Sequence, residues 1–307
     1  MQVAPTLSRR FLLTLLIACT TGSVHGQHEW QEAPQRDPAE IKRILGKSTQ
    51  PTLSRELNIV WVWGVDKNHE RGAHEYGWVM DRFVNTLLPR VPQVNAVSAM
   101  YFPTQAQWAR ADLVVFYAQT RDQWTAEDYA LIEAYQARGG GLIFLHLALL
   151  QGSGEALSRH IGLAFATQNA PNGPTQWGVL PTPVKLTAAG ADSSLFKGFP
   201  ATIHFADEHY WNLTGEAKSI TTMMTSPGGP TGPSSGPPTV EELDGRDWPV
   251  AWTMTRGQGR VFASVLGHNY FTFNDPYFRI ILLRAMAWTM HESFDPFKVL
   301  VTQNLER

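Results

Sequence analysis

The chain has 307 residues, 43% of them hydrophobic, enough to bury the core of one large domain or two small ones. Its 25 lysines and arginines nearly balance 27 aspartates and glutamates, giving a net charge of −2 with no basic stripe, which argues against nucleic acid as a partner. Cys19 is the only cysteine, so an intramolecular disulfide is excluded, and the chain beyond it has no thiol nucleophile or thiolate metal ligand.

Arg9-Arg10 precede an apolar core, Phe11 to Ala18, far shorter than the roughly 20 residues a spanning helix needs. Residues 1–26 are therefore expected to be an export signal. Leu16-Ile17-Ala18-Cys19 resembles a bacterial lipobox, which predicts lipidation of Cys19 and membrane attachment at the cell envelope; the alternative is cleavage after Gly26 and release as a soluble periplasmic protein. Residues 27–56 are polar and contain proline, and read as a tether with one short helix over Pro38 to Leu45. The apolar stretch Leu57 to Trp63 predicts a first buried strand. It runs into a polar loop carrying His69 and His74, then an amphipathic helix of about residues 75–90. Val94 to Tyr101 and Leu113 to Ala118 are the next strands. Between them and the centre lies a helix opened by Thr125 and Asp128 as a capping pair and closed at Gly139-Gly140-Gly141.

The apolar run launched by Gly139-Gly140-Gly141 and reaching Leu150 is read as a strand buried on both faces in a mostly parallel sheet, with His146 near its C-terminal end. In open α/β sheets that is the end at which ligands bind. The pattern then becomes irregular. A short helix is expected over Glu155 to Ile161, loops over 164–182, a strand at Val184 to Leu186 and a turn at Ser194 to Pro200. Thr202 to Trp211, coloured as a strand, packs Asp207, Glu208, two histidines, Tyr210 and Trp211 into ten positions. Residues 226–238 read as a mobile insertion loop. Pro249 to Thr255 and Arg260 to Leu266 predict a β-hairpin whose second strand ends in Gly267-His268-Asn269. Asp275-Pro276 opens a final helix reaching Trp288.

Trp61-Val62-Trp63 with its histidine-bearing loop, Gly139 to His146, Asp207-Glu208-His209-Tyr210, Gly267-His268 followed by Phe271 to Phe278, and Leu283 to Trp288 together resemble the ThuA-like (trehalose utilisation) family, in that order and spacing. The resemblance covers roughly residues 57–294 and leaves 295–307 as a C-terminal tail. It implies an α/β, flavodoxin-like fold of the class I glutamine amidotransferase kind. It also implies a small-molecule carbohydrate as ligand, a link to 3-keto sugars, and partnership with a sugar oxidoreductase. Amidotransferase chemistry itself is excluded, because Leu147-Ala148-Leu149 stands where those enzymes carry their cysteine.

His146 is the leading candidate for general acid/base work, since imidazole titrates near neutral pH. Strand alternation sends Asp207 and Glu208 to opposite faces, so at most one is expected to enter the site; the family pattern favours Glu208, which could act as general base or orient a histidine. His268 is the third catalytic candidate. His69, His74 and Asn269 are candidates for substrate hydroxyls, and Trp63, Tyr210 and Trp211 for a stacking wall against a sugar ring. Three histidines with a carboxylate could form a zinc or iron site. None of these residues shows tight ligand spacing, so no metal ligand is assigned and no cofactor is expected. The expected chemistry is proton transfer at an oxidised sugar; the rivals are a non-catalytic carbohydrate-binding surface protein and a metal-dependent hydrolase.

Overall fold

The computed structural model describes residues 32–303, apart from residues 67, 70, 120–123, 167–169, 171, 181 and 230–238. The expected export signal with Cys19, residues 27–31 of the expected tether and most of the 226–238 loop lie outside the described residues. Helix α1 (Pro38–Leu45) comes first, with Asp37 capping its N-terminus. Strands β1 (Leu57–Trp63), β2 (Val94–Met100), β3 (Leu113–Phe116) and β4 (Gly141–Leu145) then alternate with α2 (Tyr76–Asp81), α3 (Gln105–Arg110) and α4 (Ala126–Ala137). Helix α5 (Gly154–Ile161) leads into short pieces: β5 (Leu163–Ala164), β6 (Gln176–Gly178), β7 (Val184–Leu186), α6 (Ala188–Asp192), β8 (Thr202–Ile203), β9 (His209–Trp211) and β10 (Thr214–Gly215). Strand β11 (Thr221–Pro227), the hairpin of β12 (Asp247–Arg256) and β13 (Gly259–Ser264), and α7 (Pro276–Thr289) follow.

Nine strands form one sheet in the order β2-β1-β3-β4-β13-β12-β11-β7-β8. The pairings from β2 to β13 are parallel and those beyond β13 antiparallel. This is the mixed α/β, mostly parallel architecture expected, with the C-terminal hairpin adding the fifth parallel strand. Every residue of β3 and β4 is buried, as their unbroken apolar runs require of strands covered on both faces. Helix α7 packs on β4 and β13. Thr125 and Asp128 form the predicted capping box at α4. Gly140 is needed for close approach: a Cβ there would lie 2.3 Å from the Tyr135 ring.

Register fixes what the strand ends can do. Leu145 lies opposite Ser264, so His146 and the Val265–Asn269 segment leave the sheet side by side. Strand β1 reaches the same rim, and its following loop is tied to the β13 loop by an isolated bridge between Ala73 and Asn269. The His74 N–H donates to the His268 carbonyl (2.8 Å), and the Tyr270 N–H to that of Gly72 (2.9 Å).

Three expectations are corrected. Residues 32–56 are not a free tether: Ile41, Ile44 and Leu53 are buried in the core, and Arg36 pairs with Asp275 at the head of α7. Residues 295–303 are not a loose tail either, because Asp295–Leu300 form a 3-10 helix that buries Phe297 and Leu300. Local polarity hid both, since each segment buries only three or four side chains. Thr202 to Trp211 is broken into β8 and β9, with Asp207 in a bend between them, so strand alternation does not govern its carboxylates. The helix of about 75–90 is continuous in helical character but changes from α to π over Arg82–Leu87 and to 3-10 over Leu88–Arg90.

Candidate active site

Four loops meet over the C-terminal rim, after β1, after β4, before β9 and after β13. Each delivers a titratable side chain. His74 Nε2 lies 3.0 Å from His146 Nε2, and His268 Nδ1 lies 3.3 Å from that same atom. Glu208 Oε2 stands 3.6 Å from His146 Nε2 and 3.4 Å from His268 Nδ1. His74 and His146 are buried, whereas Glu208 and His268 keep an accessible edge. The site therefore has a buried floor of two imidazoles and a mouth of Glu208 and His268.

Hydrogen bonds fix the protons of the floor. His146 Nδ1 contacts the Val265 carbonyl at 2.8 Å, and a carbonyl only accepts, so Nδ1 carries the hydrogen and Nε2 presents its lone pair. His74 Nδ1 lies 2.8 Å from Asp66 Oδ2. Burial works to raise the Asp66 pKa, but the Asn68 N–H and the rings of His74 and His69 hold it at about 2, so it accepts and His74 also presents Nε2 as a lone pair. Burial first, then the neighbouring imidazoles of His268 and His69, pushes His74 down to about 3. Burial and the rings of His74 and His268 push His146 well below its usual range. The floor is thus neutral. At the mouth, burial depresses His268, but its hydrogen bond to Glu208 and the charges of Glu208 and Asp207 prevail and raise it.

The backbone at the site is unusual. His74 and His146 adopt φ of 52° and 53°, a left-handed conformation that costs a non-glycine residue of order 1–2 kcal/mol and persists only where surroundings impose it. Gly267, at φ 125°, makes the turn that swings His268 over the floor. Asp207 holds that turn: its carboxylate accepts from the Gly267 N–H (2.7 Å) and the His268 N–H (3.0 Å). Burial raises Asp207 to about 6 against the pull of the His268 ring and of the Gly267 and Glu208 N–H groups. The buried Tyr117 hydroxyl donates to the Gly267 carbonyl at 2.7 Å.

The structure brings His146, Glu208 and His268 together, with His74 among them. His69 lies at the edge, its Nδ1 2.6 Å from Asp66 Oδ2. Several expected roles change. His146 is fully buried and both ring nitrogens are engaged, so it is floor rather than a group that touches substrate. His74, expected to meet sugar hydroxyls, is likewise part of the floor. Tyr210 is buried, with its ring stacked on His146 and its hydroxyl 2.7 Å from His146 Nε2. Burial raises its pKa well above the ordinary phenol value, so it remains a donor. Trp211 is buried in the core and does not form the expected stacking wall, while Trp63 is half-buried and packs against Gly77. Asn269 serves the bridge between loops, its Nδ2 3.5 Å from the Ala206 carbonyl.

The ThuA family, described as trehalose utilisation, matches residues 64–289. The chain belongs to that family. Among solved structures it is similar to a ThuA-like protein from Parabacteroides merdae, at 18% identity and a TM-score of 0.53, over 77% of this chain and 90% of that one. It is also similar to a ThuA-like protein from Bacteroides uniformis, at 16% identity and a TM-score of 0.52, over 80% of this chain and 95% of that one. At such identities these likenesses show the shared fold. No curated protein matches the chain. Membership of the ThuA family suggests a carbohydrate-related role.

Sequence reading missed three contributors to the site of this ThuA-family chain. Asp66 orients His74 but lies eight residues away in an irregular loop. Asp207 lies in a bend, where the alternation that admits only one of the two carboxylates to the site does not apply. Trp177 lies on β6 inside a stretch read as loop. It is 55% exposed and pairs across the ladder with Tyr210, which places the two side chains on one face. The Phe165 ring stands 6.2 Å from Trp177 and 5.3 Å from Tyr210. An exposed indole continuous with the floor is the aromatic surface a sugar ring can use. The only signal was Trp177 itself, in a polar setting.

Proposed function

We propose that this ThuA-family chain is an enzyme acting on an oxidised sugar, of the 3-keto-glycoside class, by acid/base chemistry without a covalent nucleophile. The single observation that carries the reading is Glu208, a carboxylate at an accessible mouth beside an imidazole cluster. Glu208 takes the proton from the carbon next to the keto group, and the electron pair moves onto the carbonyl oxygen. Return of that pair expels the oxygen on the next carbon, and the departing oxygen takes up a proton. The imidazole side of the site stabilises the charge that develops on the carbonyl oxygen. Trp177 supports the ring from the side. His146, buried beneath, holds the floor rather than exchanging protons with substrate.

Export, attachment at the envelope through Cys19, and supply of the keto sugar by a partner oxidoreductase belong to the same reading. The test is the turnover of 3-keto-glucosides by the parent and by Glu208→Gln, which keeps shape but removes the base. A fall of about 10²–10⁴-fold with an unchanged circular dichroism spectrum is expected. Equal turnover by both proteins would overturn the assignment of Glu208. Saturable sugar binding with no turnover by either would identify a binding protein instead.

A further inference from the structure

The floor of the site contains an electrostatic conflict. His74 Nε2 and His146 Nε2 face each other at 3.0 Å, and the hydrogen bonds on their far sides leave a lone pair on each. Two acceptors do not approach to hydrogen-bond distance unless a cation lies between or beside them. The Tyr210 hydroxyl can donate to His146 Nε2, but no described donor serves His74 Nε2. Protonating either ring would place a charge in a buried site, and the Nδ1 partners leave Nε2 as the only position for it.

We propose that a divalent transition-metal ion of the zinc or iron class binds where His74 Nε2, His146 Nε2 and His268 Nδ1 converge. Ligand nitrogens about 2.0–2.1 Å from such an ion lie about 3.3 Å apart in a tetrahedral arrangement and about 2.9 Å apart in an octahedral one. The observed separations, 3.0 and 3.3 Å, fall in that interval, and all three nitrogens lie within 4.8 Å of one another. Neutral imidazole is a suitable donor for this class of ion, which takes the place of the Tyr210 hydroxyl hydrogen at His146 Nε2 and of the Nδ1 proton that His268 shares with Glu208. The outer contacts are those that metal-binding histidines make: His74 Nδ1–H to a carboxylate and His146 Nδ1–H to a backbone carbonyl. Asp207 fixes the third ligand's loop through its backbone.

Asp66, His69 and His74 form a second group of possible ligands. Their contacts of 2.6 and 2.8 Å converge on a single carboxylate oxygen, which is the geometry of two N–H donors sharing an acceptor. That group orients His74 and does not hold an ion itself. With three nitrogens coordinated, the remaining position faces Glu208 and the mouth. The ion then serves as the electrophile that receives the electron pair on the carbonyl oxygen, with Glu208 still the base. The role assigned to the ion rests on the function proposed above; its binding does not.

The experiment uses the purified chain, stripped with a chelator and titrated with Zn2+ by calorimetry and with Co2+ by visible absorption. One equivalent of either ion per chain is expected, with the Co2+ spectrum reporting nitrogen coordination. His146→Asn is expected to weaken binding at least 100-fold, and Asp66→Asn roughly 10–100-fold through the lost orientation of His74. His69→Asn is expected to stay within about threefold of the parent. Circular dichroism of each variant separates loss of ligand from loss of fold, and Asp66→Asn, which removes no proposed ligand, supplies a second reading if His146→Asn does not fold. Absence of a stoichiometric site in the stripped parent would overturn the proposal, and so would a loss in His69→Asn as large as in His146→Asn. Stoichiometric binding without keto-glucoside turnover would support the ion while refuting the sugar chemistry.

Discussion

Replacing Arg36 with methionine tests whether the segment before β1 is part of the fold. Arg36 Nε and Nη2 bond the two oxygens of Asp275 at 3.0 and 2.6 Å. Nη2 also donates to the His204 carbonyl at 2.6 Å, and the guanidinium lies 4.2 Å from the Tyr277 ring centroid. Asp275 is 1% exposed, and its Oδ1 caps α7 by accepting from the Tyr277 N–H. Arg36→Met keeps the stem but leaves that carboxylate buried without its cation. Breaking a buried pair in this way costs about 3–5 kcal/mol. The Arg36 side chain is 11% exposed, so some water reaches the pair and the lower end, about 3 kcal/mol, is expected. Arg36→Lys keeps the charge and loses the two-pronged geometry, at a cost of about 1–2 kcal/mol. Adding Asp275→Asn to Arg36→Met removes the orphaned charge while keeping a capping side chain, and is expected to recover most of the loss. Urea unfolding at low salt, followed by circular dichroism, measures all four proteins. A loss below about 1 kcal/mol for Arg36→Met would show that the pair behaves like an exposed one and would refute the reasoning.

Trp177→Ala is expected to weaken sugar binding about tenfold, the loss of one aromatic contact, with the melting temperature unchanged because the indole is exposed; calorimetry with a keto-glucoside and a thermal melt check both. His160 is buried, with Nδ1 3.1 Å from Gln136 Oε1, and burial pushes its pKa down to about 4 against an unfolded value near 6.5. The unfolded chain therefore binds the proton more readily, so the contribution is complete above about pH 6.5 and is lost as pH falls toward 4. The loss amounts to roughly 3 kcal/mol, and His160→Gln is expected to flatten the stability profile across that window in urea titrations. Gly140→Ala places a methyl 2.3 Å from the Tyr135 ring, and a loss of about 1–3 kcal/mol in unfolding free energy is expected if the α4–β4 junction is as tight as described.

The central part of the fold was legible because its signals are local. The runs of β3 and β4, the Thr125–Asp128 box and the Asp275-Pro276 helix start each act within a few residues. The docked segments at either end were not legible, because Arg36 reads as an ordinary surface charge until Asp275, 239 positions away, is seen beside it. The same limit applied at the site. His146 was recognisable from its place at a strand end, but its burial depends on Tyr210 and His74, and no spacing along the chain announces those contacts. Histidine spacing was also a poor guide to the cluster, since His74, His146 and His268 come from three loops and share no motif. Alternation, inapplicable in a bend, allowed only one of Asp207 and Glu208 into the site, and the family pattern favoured Glu208, which does face the imidazoles.

The bridge between Ala73 and Asn269 has a consequence for biosynthesis. One imidazole of the cluster is made in the first quarter of the chain, and another only when about seven-eighths has been translated. A ribosome-bound intermediate can pair β1 with β3 long before it can close the cluster. The cluster therefore cannot close until the hairpin has emerged and seated against the older strands, and a fragment ending before residue 260 would lack His268 together with nearly all of the central strand β13 and the whole of helix α7.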